Sequence, residues 1–423
     1  MITRILVAAV AAAFSFAALA QAQQQVRPPI ALYWMSVETS SGVGMGMGLP
    51  PGMSGMLPPG MAGGRRMKLD LDSSQAASGD PRAAHAVPPG LSMGQSLPLV
   101  TPRIERPAVR ERDDGEPGFE RPKGRMLIYW GCGEKVRAGQ PVILDFANMA
   151  PQDVSRAFRS RAISRPRGPA PGRSRSYGTW PNQEDPRPVP ANASLIGEHV
   201  ISGNYSPGIR FTIGGRHDFM EAVAFEAVRK TAGDAYAVTW RPVSTATGYF
   251  ATATGRGDGE ADIVMWSSSE DQVMGQALMD YISPGEVGRL IREKVVMSPQ
   301  TTECTVPAGI FKGEGSMLNF IAYGNELNLV HPQRPKDPKQ VWEQVWAVKL
   351  RLKSTAMTML AQSEATGRRA APMHDTPGER SPESAPERAS EPAPQREADQ
   401  PKPPSPADAV EEGVKALRGI LRF

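Results

Sequence analysis

The feature that most constrains this chain is a strand-turn-strand outline that occurs twice before residue 150. Residues 126–146 place an apolar run ending in Tyr-Trp before a Gly-rich, charged turn and a second apolar run. The same outline begins at residues 31–34 and is completed at residues 69–71. Short runs rich in β-branched and aromatic residues, separated by turn formers, are typical of β-hairpins. The pattern predicts a unit of paired hairpins over residues 23–148 and a mainly β fold.

Two breaker-rich insertions interrupt that unit, at residues 42–64 and 73–124, and we predict that both are disordered. The first insertion is also rich in methionine. Thioether sulfur can bind Cu(I), but methionine is also an adaptable apolar side chain. A copper site, a contact loop for a membrane or partner, and an inert loop all stay open. The methionines concerned are Met45, Met47, Met53, Met56 and Met61.

Residues 1–22 have the features of a secretory signal peptide. Arg4 precedes a short apolar stretch, and residues 18–20 and 20–22 both fit small-residue cleavage sites. The apolar stretch is shorter than the ~20 residues that a membrane-spanning helix needs. We therefore expect an exported protein, periplasmic or extracellular, with an uncleaved membrane anchor as the alternative.

The chain has two cysteines, Cys132 and Cys304. An even number of cysteines in an exported protein favours disulfide pairing. The sequence therefore predicts a Cys132–Cys304 bond that ties the second hairpin to a later sheet, with two separate buried thiols as the alternative. Two cysteines do not form a structural zinc site without histidine ligands.

Residues 149–192 are rich in Pro and Arg, and we predict a basic linker. Arginines are concentrated between Arg156 and Arg175, with no acidic residue among them. Such a run usually marks a solvated segment, although it could contact an anionic surface such as lipid phosphate or an acidic glycan. Nucleic acid is not an expected partner, because export is predicted and few aromatic residues are available to stack on bases.

Strand-like runs dominate residues 193–362. In residues 235–255, Trp240 lies in one alternating run and Tyr249 opens the next. Together with residues 316–326, this spacing resembles strands of the fibronectin type III family, in which a core Trp on one sheet faces a Tyr on the other. The resemblance implies a β-sandwich of the fibronectin or immunoglobulin type.

Residues 267–296 depart from the fibronectin pattern. A Ser-x-x-Glu capping box at 267–270 and a Ser-Pro-x-Glu start at 283–286 each predict a helix. We therefore expect a helical insertion in the sandwich. Further along, apolar and basic residues alternate over residues 348–353, which predicts a basic-faced edge strand.

The last part of the chain contains two predicted segments. Residues 363–406 are rich in Pro, Glu and Arg and are typical of a disordered spacer. Residues 407–423 carry apolar residues at helical spacing, which predicts an amphipathic helix. This helix could dock on its own domain, on a partner protein or on a membrane surface.

Candidates for chemistry are few. We find no Gly-rich phosphate loop, nucleophile elbow or zinc-protease helix in the sequence. Glu134, Glu326 and His331 are the candidates for acid–base work, because they follow strand-like runs and could converge on one site. The simpler interpretation is that such carboxylates cap turns with hydrogen bonds.

By its general pattern the chain resembles exported envelope proteins of Gram-negative bacteria whose function is unknown, and this resemblance implies no activity. We predict a non-catalytic binding or scaffold protein of the periplasm or envelope, without a cofactor. Its expected partner is an envelope protein or an anionic cell-surface component. The alternatives are a hydrolase that uses the strand-end carboxylates and a metal-binding protein that uses the Met-rich loop.

Overall fold

A computed structural model describes residues 24–42, 63–102, 124–148, 163–164, 166–273 and 276–360. Three predicted features lie outside these residues: the signal peptide, the methionines of the first insertion, and the spacer and helix that follow residue 362.

Strands dominate the described residues, which contain one α-helix, α1 (Pro284–Arg292), and short 3-10 turns at Pro89–Leu91, Gly215–His217 and Gln276–Met279. In chain order the strands are β1 (Val26–Arg27), β2 (Ala31–Ser41), β3 (Gly64–Ser73), β4 (Ala83–Ala86), β5 (Ser96–Leu99), β6 (Arg125–Trp130), β7 (Val142–Asp145), β8 (Ser176–Trp180), β9 (Gly197–Gly203), β10 (Ile209–Ile213), β11 (Phe225–Lys230), β12 (Tyr236–Trp240), β13 (Gly248–Arg256), β14 (Ile263–Ser267), β15 (Glu303–Val306), β16 (Lys312–His331), β17 (Trp342–Glu343) and β18 (Trp346–Met359).

The largest element of the fold is a nine-stranded sheet in the order β7-β6-β14-β13-β16-β18-β2-β3-β8. Its neighbours are antiparallel except for two parallel pairs, β14 with β6 and β18 with β2. A four-stranded sheet has the order β10-β9-β4-β5, and a three-stranded sheet has the order β11-β12-β15. The short strands β1 and β17 form a separate parallel pair.

The two smaller sheets pack on one face of the large sheet, which we call the inner face. Trp240 on β12 packs against Tyr249 on β13 and Phe320 on β16, with ring centroids 5.6 and 4.7 Å apart. The four-stranded sheet contacts the large sheet through a hydrogen bond between Tyr33 on β2 and His85 on β4. One continuous apolar cluster joins all three sheets. The prediction of a mainly β fold is confirmed.

The opposite, outer face of the large sheet is covered in part by α1. Val287 and Leu290 of the helix are fully buried in a cluster with Phe250 and Ile321 of the sheet. The described residues of the insertion at 267–296 therefore contain one α-helix where the sequence predicted two. Ser267, predicted to cap the first helix, is instead the last residue of β14. Its strand is held between β13 and β6, which pair with it on either side.

Strand pairing crosses the predicted domain boundaries. Strand β2 pairs with β18 and β6 pairs with β14, so the N-terminal unit and the later body share one sheet. Strand β8 falls within the predicted basic linker and forms an edge of that sheet. The predicted basic-faced edge strand is β18, which lies in the interior between β16 and β2. Alternation along a strand shows its two faces but does not show how many neighbours it has.

Part of the second predicted disordered insertion is ordered. Residues 73–102 contain β4 and β5, and β4 pairs with β9 in the four-stranded sheet. Leu97 and Leu99 on β5 and His85 on β4 are buried in the core. Burial against a sheet formed by distant residues stabilises a segment whose own sequence is rich in turn formers.

Candidate functional site

The three predicted acid–base residues do not come together. Strand β16, which carries Glu326, is separated from β6, which precedes Glu134, by β14 and β13; three strand spacings are about 14 Å. Glu326 forms an ion pair with Lys349 at 2.7 Å. His331 stacks on Trp346 with ring centroids 5.2 Å apart. Because Glu326 and His331 are an odd number of residues apart on one strand, their side chains point to opposite faces of the sheet.

The predicted cysteine pair is close in space. The sulfur atoms of Cys132 and Cys304 lie 2.11 Å apart, at disulfide distance. Cys132 follows β6 of the large sheet, and Cys304 lies on β15 of the three-stranded sheet. The bond therefore links the two layers near one end of the sandwich, as the sequence predicted.

The metal and membrane hypotheses gain no support from the described residues. The five loop methionines, Met45, Met47, Met53, Met56 and Met61, lie outside them. Within the described ranges, no group of three or more His, Cys, Asp or Glu side chains is arranged to hold a metal ion. A search of the same ranges finds no helix with the length and apolar character to cross a membrane.

A cluster of basic and aromatic side chains lies on the outer face of the large sheet, at strands β2 and β18. Strand β18 supplies the basic side chains because its apolar residues alternate onto the inner face. We call this cluster the basic face. It consists of Lys349, Arg351, Lys353, Trp34 and Tyr281.

Arg351 is at the centre of the basic face. The central carbon of its guanidinium group lies 4.8 Å from the ring centroid of Trp34 and 4.4 Å from that of Tyr281. Its Nε donates a hydrogen bond to the hydroxyl of Ser36 at 2.8 Å. Two aromatic rings and one hydrogen bond thus orient the guanidinium group, and a cation over an aromatic ring is attracted by the ring's electron density.

The two lysines are each held by a carboxylate. Lys349 pairs with Glu326 at 2.7 Å, and Lys353 lies 3.6 Å from Glu38. Their side chains are only 17% and 12% exposed, so these are half-buried pairs and not solvated surface contacts. Glu38 also accepts a hydrogen bond from Thr355 at 2.6 Å, which further fixes its position.

The two aromatic rings are themselves held firmly. Trp34 is 5% exposed, and Gly168 packs so closely on it that a Cβ at residue 168 would lie 2.6 Å from the indole. Burial raises the pKa of Tyr281 far above its ordinary value, and the negative charge of Glu38 adds to this effect. The phenol is therefore neutral at physiological pH, so the ring acts as a packing surface for Arg351.

A second polar cluster is buried between the layers. The Tyr33 hydroxyl lies 2.8 Å from Nδ1 of His85, and Nε2 of His85 lies 2.9 Å from Nδ1 of His199. Nε2 of His199 lies 2.7 Å from the carbonyl oxygen of Leu195. Both imidazoles are fully buried, and His199 stacks on Phe211. This chain of hydrogen bonds joins β2 of the large sheet to β4 and β9 of the four-stranded sheet.

Sequence reasoning identified parts of these clusters but not their assembly. The alternation of basic residues on β18 was visible, yet it was interpreted as an edge strand. Trp34 was assigned to a hairpin, and Tyr281 to a helix. No local pattern in the sequence links His85 with His199, because 114 residues separate them along the chain.

No protein-family model matches the chain, and no curated protein matches it in sequence. The function must therefore be argued from the residues of the site.

Proposed function

We propose that this is an exported binding or scaffold protein of the cell envelope, without catalytic activity, that recognises an anionic envelope component through its basic face. The observation that carries this proposal is the contact of the Arg351 guanidinium group with both Trp34 and Tyr281, together with its hydrogen bond to Ser36. A binding surface gains affinity when its side chains are held in place before the partner arrives, because less entropy is lost on association.

The surroundings of the basic face support recognition in preference to catalysis. Its lysines are engaged by Glu326 and Glu38, and the proposed acid–base trio is dispersed over the sheet. Arginine and aromatic residues are enriched at protein interfaces. The cluster also rests on β2, β16 and β18, which are adjacent interior strands of the large sheet.

Two further features support the assignment to the envelope. The sequence begins with the pattern of a secretory signal peptide. The cysteines lie at disulfide distance, and disulfides persist mainly in oxidising compartments such as the periplasm. In this proposal, residues 363–423 act as a tether that keeps the folded body at the envelope.

The proposal is tested by sedimenting the protein with isolated envelope fractions. We expect the full chain to pellet with the envelope at low salt and to be released at high salt, because salt screens contacts between exposed charges. Deletion of residues 364–423 should reduce the pelleted fraction. As a control, residues 364–406 are replaced by a Gly/Ser linker of equal length, which keeps the terminal segment. A full chain that stays in the supernatant at both salt concentrations contradicts the proposal.

A further inference from the structure

Arg351 differs from the other cations of the basic face in having no acidic partner. Glu326 lies directly opposite Arg351 in the β16–β18 register, but its carboxylate pairs with Lys349. Glu38 pairs with Lys353 and with Arg66, at 3.6 and 3.5 Å. Among the described residues, no carboxylate lies within ion-pair distance of Arg351, although the carboxylates of Glu326 and Glu38 are in the same cluster.

The contacts of Arg351 leave one part of the guanidinium group unused. The rings of Trp34 and Tyr281 both contact the guanidinium group, and Ser36 accepts the hydrogen bond from Nε. In the described part of the chain, neither terminal nitrogen of Arg351 has a hydrogen-bond acceptor. These nitrogens carry N–H groups in the plane of the guanidinium, an arrangement that matches the two oxygens of a carboxylate or phosphate.

Donors therefore exceed acceptors in this cluster. The indole N–H of Trp34 is also buried, and it too lacks an acceptor among the described residues. Buried donors are normally paired, because an unpaired one loses its hydrogen bonds to water without replacement. Unpaired donors beside a guanidinium group that makes no direct ion pair are suited to a ligand that brings acceptor oxygens and negative charge.

We propose that Arg351 anchors an oxyanion site, in which its terminal nitrogens bind a carboxylate or phosphate group. This inference rests on the proposed function, since it names the chemical group of the envelope component that the basic face recognises. Trp34, Tyr281 and Ser36 are positioning residues in this site. Glu326 keeps Lys349 away from the oxyanion and therefore limits the positive charge at the site.

The test measures binding of three probes to the full chain: acetate, inorganic phosphate and vesicles of phosphatidylglycerol. Titrations followed by calorimetry or NMR give the dissociation constants. Binding of acetate or phosphate shows that a free oxyanion is sufficient for binding. Binding of the vesicles alone shows that the site requires a phosphate presented on a lipid surface. Absence of binding to all three probes overturns the proposal.

The variants separate a specific site from general positive charge. Arg351→Gln should weaken binding of the probe about 10- to 100-fold, since hydrogen bonds to charged groups are lost. Arg351→Lys should also weaken it, because an ammonium group lacks the two parallel N–H donors on separate nitrogens that match the two oxygens of a carboxylate or phosphate. Arg216→Gln and Arg216→Lys are the matched controls, since Arg216 is an exposed arginine in a 3-10 turn far from β18 in the sequence. Both controls should bind as the unmodified protein does.

One variant should strengthen binding. Glu326→Gln removes the negative charge opposite Arg351 and releases Lys349, so the probe should bind more tightly. A residue with only a structural role would not produce this gain. If Arg351→Gln fails to fold, Arg351→Lys and Glu326→Gln decide the question, and unchanged affinity in both overturns the proposal. The protein could still sediment with envelope fractions while none of the three probes binds. That combination would reject the oxyanion site and leave the proposed function standing.

Discussion

At the scale of single residues, the buried chain from Tyr33 to Leu195 fixes the position of every proton in it. A carbonyl oxygen only accepts, so Nε2 of His199 must donate to Leu195. In a neutral imidazole the other nitrogen then accepts, and Nε2 of His85 must donate to it. Nδ1 of His85 consequently accepts from the Tyr33 hydroxyl. Each donor and acceptor of the two rings is used when both histidines are neutral.

Protonation of this pair is costly in the folded protein. Burial lowers the pKa of His85 well below its ordinary value of 6.5, and the neighbouring His199 lowers it further. Burial also lowers the pKa of His199, although its hydrogen bond to Leu195 acts in the opposite direction. The remaining titratable group bonded to the pair is Tyr33, whose pKa is raised by burial and by the charge of Asp70. The phenol is therefore neutral and offers no negative charge to a protonated histidine.

We predict that the free energy of unfolding decreases as the pH falls below about 6.5, the ordinary pKa of histidine. Because the pKa values of the two histidines are lowered in the folded state, the unfolded chain binds protons at a higher pH than the folded protein does. Acidification therefore favours the unfolded chain and lowers the free energy of unfolding. Urea unfolding from about pH 7.5 to about pH 5 measures the effect. His199→Gln should reduce the slope with pH, and His217→Gln, a change at a half-buried histidine in a 3-10 turn, is the comparison variant. An unaltered slope in His199→Gln would contradict the argument.

At the scale of elements, α1 shows why a short helix persists in a β protein. It begins after Ser283 with Pro284 in its first turn, and its buried side chains pack on the outer face of the large sheet. A nine-residue helix is too short to be stable alone. Packing on Phe250 and Ile321 therefore supplies most of its stability.

Two substitutions in α1 should act in opposite directions. Leu290→Ala should lower the free energy of unfolding by about 2–5 kcal/mol, because it leaves a cavity beneath the helix. Gly288→Ala should raise it by up to about 1 kcal/mol, since glycine is unfavourable inside a helix. A Cβ at residue 288 would meet only the side chain of Arg292, at 3.7 Å. Chemical denaturation of both variants measures the effects, and a Leu290→Ala variant as stable as the unmodified protein would contradict the packing argument.

At the scale of the whole molecule, strands from both ends of the described chain meet in the middle of the large sheet. The pairing of β18 with β2 runs from Trp346 and Ala31 to Ala356 and Ser41. Because these strands are parallel and distant in the sequence, neither can complete its hydrogen bonds within its own half of the chain. The fold is therefore one cooperative sheet that spans the predicted domain boundary.

We predict that neither half of the chain folds by itself. Residues 24–192 lack β18, one of the two partners of β2, and residues 193–360 expose the long edge of β18, which favours aggregation. Each fragment should give a near-UV circular dichroism spectrum without fixed aromatic signals, and co-expression should restore the signals of residues 24–360. Cooperative unfolding of an isolated fragment would show that the sheet is divisible after all.

Local chemistry in the sequence determined the strand character, the apolar faces and the second helix of the insertion, because alternation, capping residues and turn formers act over a few positions. The same information showed basic residues alternating on β18 and an aromatic pair at Tyr33 and Trp34. The pairing of the two cysteines was also predictable, since the sequence offers one possible partner for each.

Only the tertiary structure decided which strands became neighbours. The parallel pairing of β2 with β18 brings Trp34 to Arg351, and the insertion brings Tyr281 to the same guanidinium group. The pairing of β4 with β9 likewise brings His85 to His199. These contacts join residues more than a hundred positions apart or from unrelated segments. These contacts form only when the strands take a particular order in the sheet. Burial of the whole core selects that order, and no local sequence pattern encodes it.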